Sequence, residues 1–173
     1  ILTGHRYTPD TAILDALDLA QARALASIDM TAVRRRLEEL PWIAGAELTR
    51  VYPGRLEVRV RERKPFAVWS TAGREVLVDE AGRALGDVHR ATGLGLPVIA
   101  GAGAPTEVAT LMAALAAHPS LAARVEWSER VGARRWNIHL AGNVDLLLPP
   151  DREAAALAAL AADPRLVRLV EAG

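Results

Sequence analysis

Leu56, Val58 and Val60 alternate with Glu57, Arg59 and Arg61. That is the two-residue period of a strand with one buried face and one wet face. Upstream, Ala44, Ala46 and Leu48 alternate with Gly45, Glu47 and Thr49, and Pro53-Gly54 supplies turn chemistry between the two runs. A hairpin is therefore predicted. Two helices precede it. Thr8-Pro9-Asp10 reads as a helix start, with Thr8 as N-cap, Pro9 at the first helical position and Asp10 against the positive helix end. Ile13, Leu14 and Leu17 then share a face at helical spacing. Asp29 caps a second helix, with Val33, Leu37 and Leu40 on one side and Arg34, Arg35, Arg36, Glu38 and Glu39 on the other; Pro41 ends it. With Ile1-Leu2 as the end of an earlier strand, the predicted order over residues 1–63 is β-α-α-β-β.

The pattern changes after Pro65. Short strands are predicted at 66–70 and 75–79, joined by Thr71-Ala72-Gly73-Arg74, with another turn at Glu80-Ala81-Gly82-Arg83. Residues 86–105 are Gly-rich and weakly periodic, a loop region with one short strand at Pro97–Ala100. A helix over 106–117 stops at His118-Pro119. Strands at 125–131, 136–140 and 144–148 are separated by hairpin loops. A last helix runs from Asp151 towards Val170, with a break at Asp163-Pro164. The fold class is α+β. Two small domains are expected, 1–64 and a β-rich 65–173 with flanking helices.

Composition narrows the function. Twenty-one basic side chains balance 21 acidic ones, which argues against nucleic acid as the main partner. The chain has no cysteine, so disulfides, thiolate metal sites and a cysteine nucleophile are excluded. The longest uncharged stretches, 91–106 and 108–123, both contain Pro and are shorter than the roughly 18 or more apolar residues of a span. No signal peptide is visible. A start at Ile1 is read as a fragment or processed form.

Candidate chemistry is sparse. His5, His89, His118 and His139 form no helical metal pair, and His139, between Ile138 and Leu140, is expected to face solvent or a partner. Ser27, Ser70, Ser120 and Ser128 lack the Gly-x-Ser-x-Gly elbow. Gly101-Ala102-Gly103 lacks the rest of a phosphate loop and reads as a flexible turn before a helix. Glu62, between Arg61 and Arg63, reads as a surface ion pair, and Arg59, Arg61 and Arg63 as a solvated face. No catalytic, cofactor-binding or metal-binding residue is assigned. A binding or scaffold role is expected, not an enzyme.

One ordered set of motifs is more specific. It comprises Leu37-Glu38-x-Leu40-Pro41-Trp42-Ile43, Ala46, Arg50, Tyr52-Pro53, Leu56, Val58 and Glu62-Arg63-x-Pro65-x-Ala67-x-Trp69. It continues with Leu77-Val78-Asp79-x-x-Gly82, Leu96-Pro97-Val98-Ile99-x-Gly101 and Arg135-Trp136. In order and spacing this resembles the bacterial FtsQ/DivIB cell-division family over essentially the whole chain. The β-α-α-β-β order is also that of the POTRA domain such proteins carry.

The resemblance implies a POTRA domain at 1–64 and an FtsQ-type β domain at 65–173. It implies a non-enzymatic scaffold that binds FtsB and FtsL and links early components such as FtsK to the septal peptidoglycan synthase FtsW–FtsI. It also implies a single-pass inner-membrane protein at the division septum. This part would be periplasmic, and the transmembrane helix would lie outside this chain. Family members continue past the last helix into further C-terminal strands, which are apparently absent here. The matching partner-binding residues are Arg134, Arg135 and Trp136, with FtsB adding a strand to an open sheet edge beside them. The other reading of these residues is Trp136 as core and the arginines as ordinary turn residues. The rival function is a POTRA-bearing outer-membrane assembly or secretion component, expected to show tandem POTRA units or a following barrel.

Overall fold

The computed structural model describes residues 1–18, 28–91 and 93–172; Ser27 lies outside them. The chain divides into two compact units, Ile1–Lys64 and Pro65–Gly173.

In the first unit, β1 (Leu2–Thr3), α1 (Asp10–Leu17), α2 (Met30–Glu39), β2 (Ile43–Val51) and β3 (Arg55–Glu62) follow in order. The sheet order is β1-β3-β2, with β1 parallel and β2 antiparallel to β3. Alternation on β3 aims Val58 and Val60 at Ile13, Leu17, Val33 and Leu37. Asp29 caps α2 by accepting N–H bonds from Thr31 (2.9 Å) and Ala32 (3.1 Å). Leu14 departs from its expected place: it is 52% exposed, because α1 centres its buried stripe on Ile13 and Leu17.

Thr8 and Glu62 also differ from their sequence readings, and for one shared reason. Pro9, not Thr8, holds the N-cap position of α1 and makes no side-chain cap. The Thr8 hydroxyl instead donates to the Glu62 carboxylate at 2.7 Å. The same carboxylate accepts the backbone N–H groups of Arg6 (2.9 Å), Tyr7 (3.0 Å) and Thr8 (2.7 Å). Glu62 is thus the anion in a nest of N–H donors. Burial pushes its pKa up; the Thr8 hydroxyl and the three backbone donors outweigh that, so the net shift is downward. The Tyr7 ring stacks on the buried Trp42 at 4.5 Å, and Arg63 N–H donates to the Trp42 carbonyl at 2.7 Å. The Leu-Pro-Trp and Glu-Arg motifs, twenty residues apart, meet here.

The second unit holds β4 (Ala67–Thr71), β5 (Arg74–Val78), β6 (Ala84–Asp87), β7 (Val98–Ala100), α3 (Ala104–Ala116), α4 (Pro119–Ala122), β8 (Val125–Val131), β9 (Arg135–Leu140), β10 (Val144–Leu147), α5 (Glu153–Ala162) and α6 (Pro164–Ala172). Its sheet runs β10-β9-β8-β7-β4-β5-β6. Helices cover one face. Val108, Leu111, Leu115, Leu121 and Leu157 pack on Ala67, Val78, Ile99, Trp136, Ile138 and Leu140.

Periodicity shows the hairpins but not the join between them. β7, only three residues long, lies parallel to both β4 and β8, with α3 and α4 forming the crossover that a parallel pair requires. Two contacts hold it. The Trp69 indole N–H donates to the Gly101 carbonyl at 3.2 Å. Gly101 has φ +93°, and a Cβ there would sit 2.2 Å from the Arg130 carbonyl oxygen. The Gly101 turn is therefore a close-approach position, not a flexible one.

Two outcomes are expected. Glu62→Gln lowers the stability of the first unit by about 1–2 kcal/mol at neutral pH, since bonds to a charged group are replaced by weaker ones. Because the folded pKa is lowered, Glu62's contribution is present above the ordinary value of 4.5 and disappears as pH falls through the lower folded value. Hydrogen exchange at Val58 and Val60 measures this, and the gap between wild type and variant should close in acid. Gly101→Ala costs at least about 2 kcal/mol in the second unit, read by urea unfolding.

Candidate partner-binding surface

Strands β8, β9 and β10 form one antiparallel meander. The two-residue period divides β9 cleanly. Trp136, Ile138 and Leu140 face the helices and are at most 2% exposed, while Arg135, Asn137 and His139 line the opposite face. β10 follows suit: Val144 and Leu146 are half-buried against the core, and Asp145 and Leu147 are exposed on the other side.

The outer face is built of cross-strand rungs. Trp127, His139 and Asp145 stand directly opposite one another in the register. The Trp127 and His139 rings stack at 3.8 Å, tilted by 11°, and His139 Nδ1 lies 2.7 Å from Asp145 Oδ1. His139, expected to face solvent or a partner, is thus tied into a rung with 21% of its side chain exposed. The next rung is Glu129, Asn137 and Leu147.

Among the described residues, β10 is a sheet edge. Leu148 N–H donates to the Trp136 carbonyl at 2.9 Å. The hydrogen-bonded pairs on this ladder therefore fall on Leu148–Trp136, Leu146–Ile138 and Val144–Leu140. Asp145 and Leu147 turn their N–H and C=O groups away from β9, where among the described residues no strand pairs with them. Such a row of unpaired groups is a template for an extended chain.

Of the three residues singled out in the sequence, the structure leaves two at the surface. Arg134 and Arg135 are exposed at the β8–β9 corner. Trp136 is 2% exposed in the core, with the Arg130 guanidinium 5.7 Å from its ring centroid. It cannot present its ring to a partner; it anchors the strand that carries the arginines. Asp145 and Leu147 were missed because a lone Asp and Leu in a short alternating run carry no signal until the register shows which edge is free. Among the described residues, no group of three or more His, Cys, Asp or Glu is placed to hold a metal ion, and no helix is long and apolar enough to cross a membrane.

Residues 1–63 match the family model of the FtsQ-type POTRA domain, and residues 67–170 match that of the cell division protein FtsQ/DivIB C-terminal region. The cell division protein FtsQ of Bradyrhizobium diazoefficiens is 34% identical over 160 residues, covering 92% of this chain and 47% of its own. FtsQ of Rhizobium radiobacter is 31% identical over 154 residues, covering 89% of this chain and 73% of its own. The major extracytoplasmic domain of DivIB from Geobacillus stearothermophilus is 16% identical, with 65% of this chain and 97% of that one covered and a TM-score of 0.39. The chain spans about half the length of the first curated relatives it matches.

The two kinds of residue at the corner should respond oppositely to substitution. Trp136→Ala opens a cavity and costs about 3–5 kcal/mol, whereas Arg134→Glu and Arg135→Glu each change stability by about 0.5 kcal/mol or less. Thermal unfolding of the three variants reads the difference.

Proposed function

The chain belongs to the FtsQ/DivIB cell-division family, and we propose on that premise that it is a non-enzymatic scaffold of the division machinery whose second unit binds FtsB by strand addition at β10. FtsL is held in the same complex. Through these contacts the protein links early components such as FtsK to septal peptidoglycan synthesis by FtsW–FtsI. The POTRA unit serves recruitment. The protein works at the division septum, anchored in the inner membrane by a helix outside this chain, with the present part on the periplasmic side.

The observation that carries this reading is the coincidence of a basic corner with an edge that no described strand covers. Outward backbone groups of Asp145 and Leu147 supply sequence-independent affinity. Arg134 and Arg135, one strand inward at the corner, are suited to grip a partner carboxylate in a bidentate manner. Trp136 contributes by holding β9 in place. The rival secretion or outer-membrane assembly reading calls for tandem POTRA units or a barrel; residues 67–170 match the FtsQ/DivIB C-terminal family instead.

Titration of the FtsB extracytoplasmic segment into the wild-type chain and the Arg134→Glu/Arg135→Glu variant tests this. The expected result is a loss of about tenfold or more in affinity with an unchanged melting temperature. Equal affinity for both proteins would count against the arginine grip.

A further inference from the structure

The β2–β3 hairpin of the first unit ends in an exposed aromatic crest. Val51 pairs with Arg55, and Gly54 N–H donates to the Val51 carbonyl at 3.2 Å. This closes a tight turn with Tyr52 and Pro53 at its top. Tyr52 is 95% exposed, more than any other large apolar side chain among the described residues. The crest is also poor in free backbone donors, since Pro53 has no N–H and that of Gly54 is already bonded. Arg50 pairs with Leu56 on the helix-covered face, while Arg55 lies on the opposite face. Guanidinium groups therefore stand behind the crest on both sides of the sheet. That of Arg50 donates to the Ile28 carbonyl. That of Arg55 meets Glu57 at 3.1 Å, in a pair whose side chains are 55% and 41% exposed. Topology sets this crest beside the chain's entry. β1 is parallel to β3, and Val58 N–H donates to the Ile1 carbonyl at 2.8 Å. The chain thus reaches β1 from the end of the sheet where the hairpin turns.

We infer that this crest is a membrane contact. Tyr52 enters the headgroup layer of the bilayer that anchors the chain, with Arg50 and Arg55 at the level of the lipid phosphates. The inference rests on the membrane anchor of the reading above, with the anchoring helix leading into β1. Helix and crest then lie at one end of the first unit, which brings the crest to the bilayer surface. A tyrosine suits that boundary because its ring is apolar and its hydroxyl is not. Arginines on both sides of it suit anionic headgroups. Arg55 exchanges an exposed ion pair, worth little in water, for a phosphate that its guanidinium can grip with two N–H groups. One ring and two cations are too little to hold a free protein on a membrane. An anchor changes that, because it makes the contact intramolecular and gives it a high effective concentration. The contact then fixes the orientation of the first unit against the membrane, which a single flexible attachment cannot do.

Because the chain has no cysteine, one introduced thiol gives a unique label. Tyr52→Cys and Arg61→Cys each carry a polarity-sensitive fluorophore; Arg61 is exposed on β3, about 20 Å along the strand from Arg55. Each chain is tethered by an N-terminal histidine tag to phosphatidylethanolamine–phosphatidylglycerol vesicles that contain a nickel-chelating lipid. Emission at position 52 should rise about twofold or more on tethering and be quenched by spin-labelled headgroups, while position 61 keeps its value in water. Without label, Tyr52→Ser should bind the same vesicles about three- to tenfold more weakly than wild type, at an unchanged melting temperature, and Tyr52→Trp should restore the affinity. Water-like emission at position 52, with equal vesicle affinity for wild type and Tyr52→Ser, would overturn the membrane contact. It would leave the anchor standing, since the tag supplies the tether. Emission at position 52 that responds to the FtsB extracytoplasmic segment and not to vesicles would assign the crest to a protein and overturn the contact as well. Recovery of the protein from its native cells in the soluble fraction would overturn the anchor, and this inference with it.

Discussion

The second unit depends on a seam of three residues. β7 lies parallel to a neighbour on each side and joins two antiparallel hairpin systems into one seven-stranded sheet. The seam closes because Gly101 has no side chain where the Arg130 carbonyl approaches and because Trp69 reaches across to bond the Gly101 carbonyl. With the seam in place, α3 must cross over the sheet to return the chain for β8. Its apolar stripe of Val108, Leu111 and Leu115 then fills the face below. The meander β8-β9-β10 runs outward from the seam, and β10 is its last strand among the described residues.

The two edges of this sheet are not equivalent. β6 is broken by a register shift against β5 and contains Gly86 at φ +127°, and Asp87 is tied to Arg74. Irregularity and charge of this kind protect an edge from pairing. β10 pairs with β9 without a shift over Val144–Leu147, and its alternate residues leave core on one side and an exposed Leu147 on the other. Among the described residues, β10 is the more regular of the two edges. The first unit is organised by a different device, the Glu62 carboxylate in its nest of donors, which fastens the chain entering α1 to the end of β3.

Much of this was legible in the sequence, for identifiable reasons. Leu56, Val58 and Val60 alternate against charged neighbours, so β3 and its buried face could be read directly. The Asp29 cap is local and was equally visible. Thr8 looked like a cap because capping preferences concern near neighbours, while its actual acceptor is 54 residues away. Glu62 looked like a surface ion pair for the same reason: its flanking arginines are visible in sequence and its backbone donors are not. β7 was expected only as a short isolated strand, since three residues carry no period that could reveal two parallel neighbours. At the candidate surface, Arg134 and Arg135 were found through a family resemblance. Trp136 was drawn in with them, although alternation along β9 turns it inward. Asp145 acquires meaning only from the register that sets it opposite His139.

Amide hydrogen exchange on β10, with and without the FtsB extracytoplasmic segment, tests the central claim most directly. Val144 and Leu146 already bond to β9, so their exchange should change little. Strand addition predicts that Asp145 and Leu147, whose N–H groups point outward, become protected on binding by about tenfold or more as new backbone bonds form. Binding of the segment with no added protection at these two amides would contradict it.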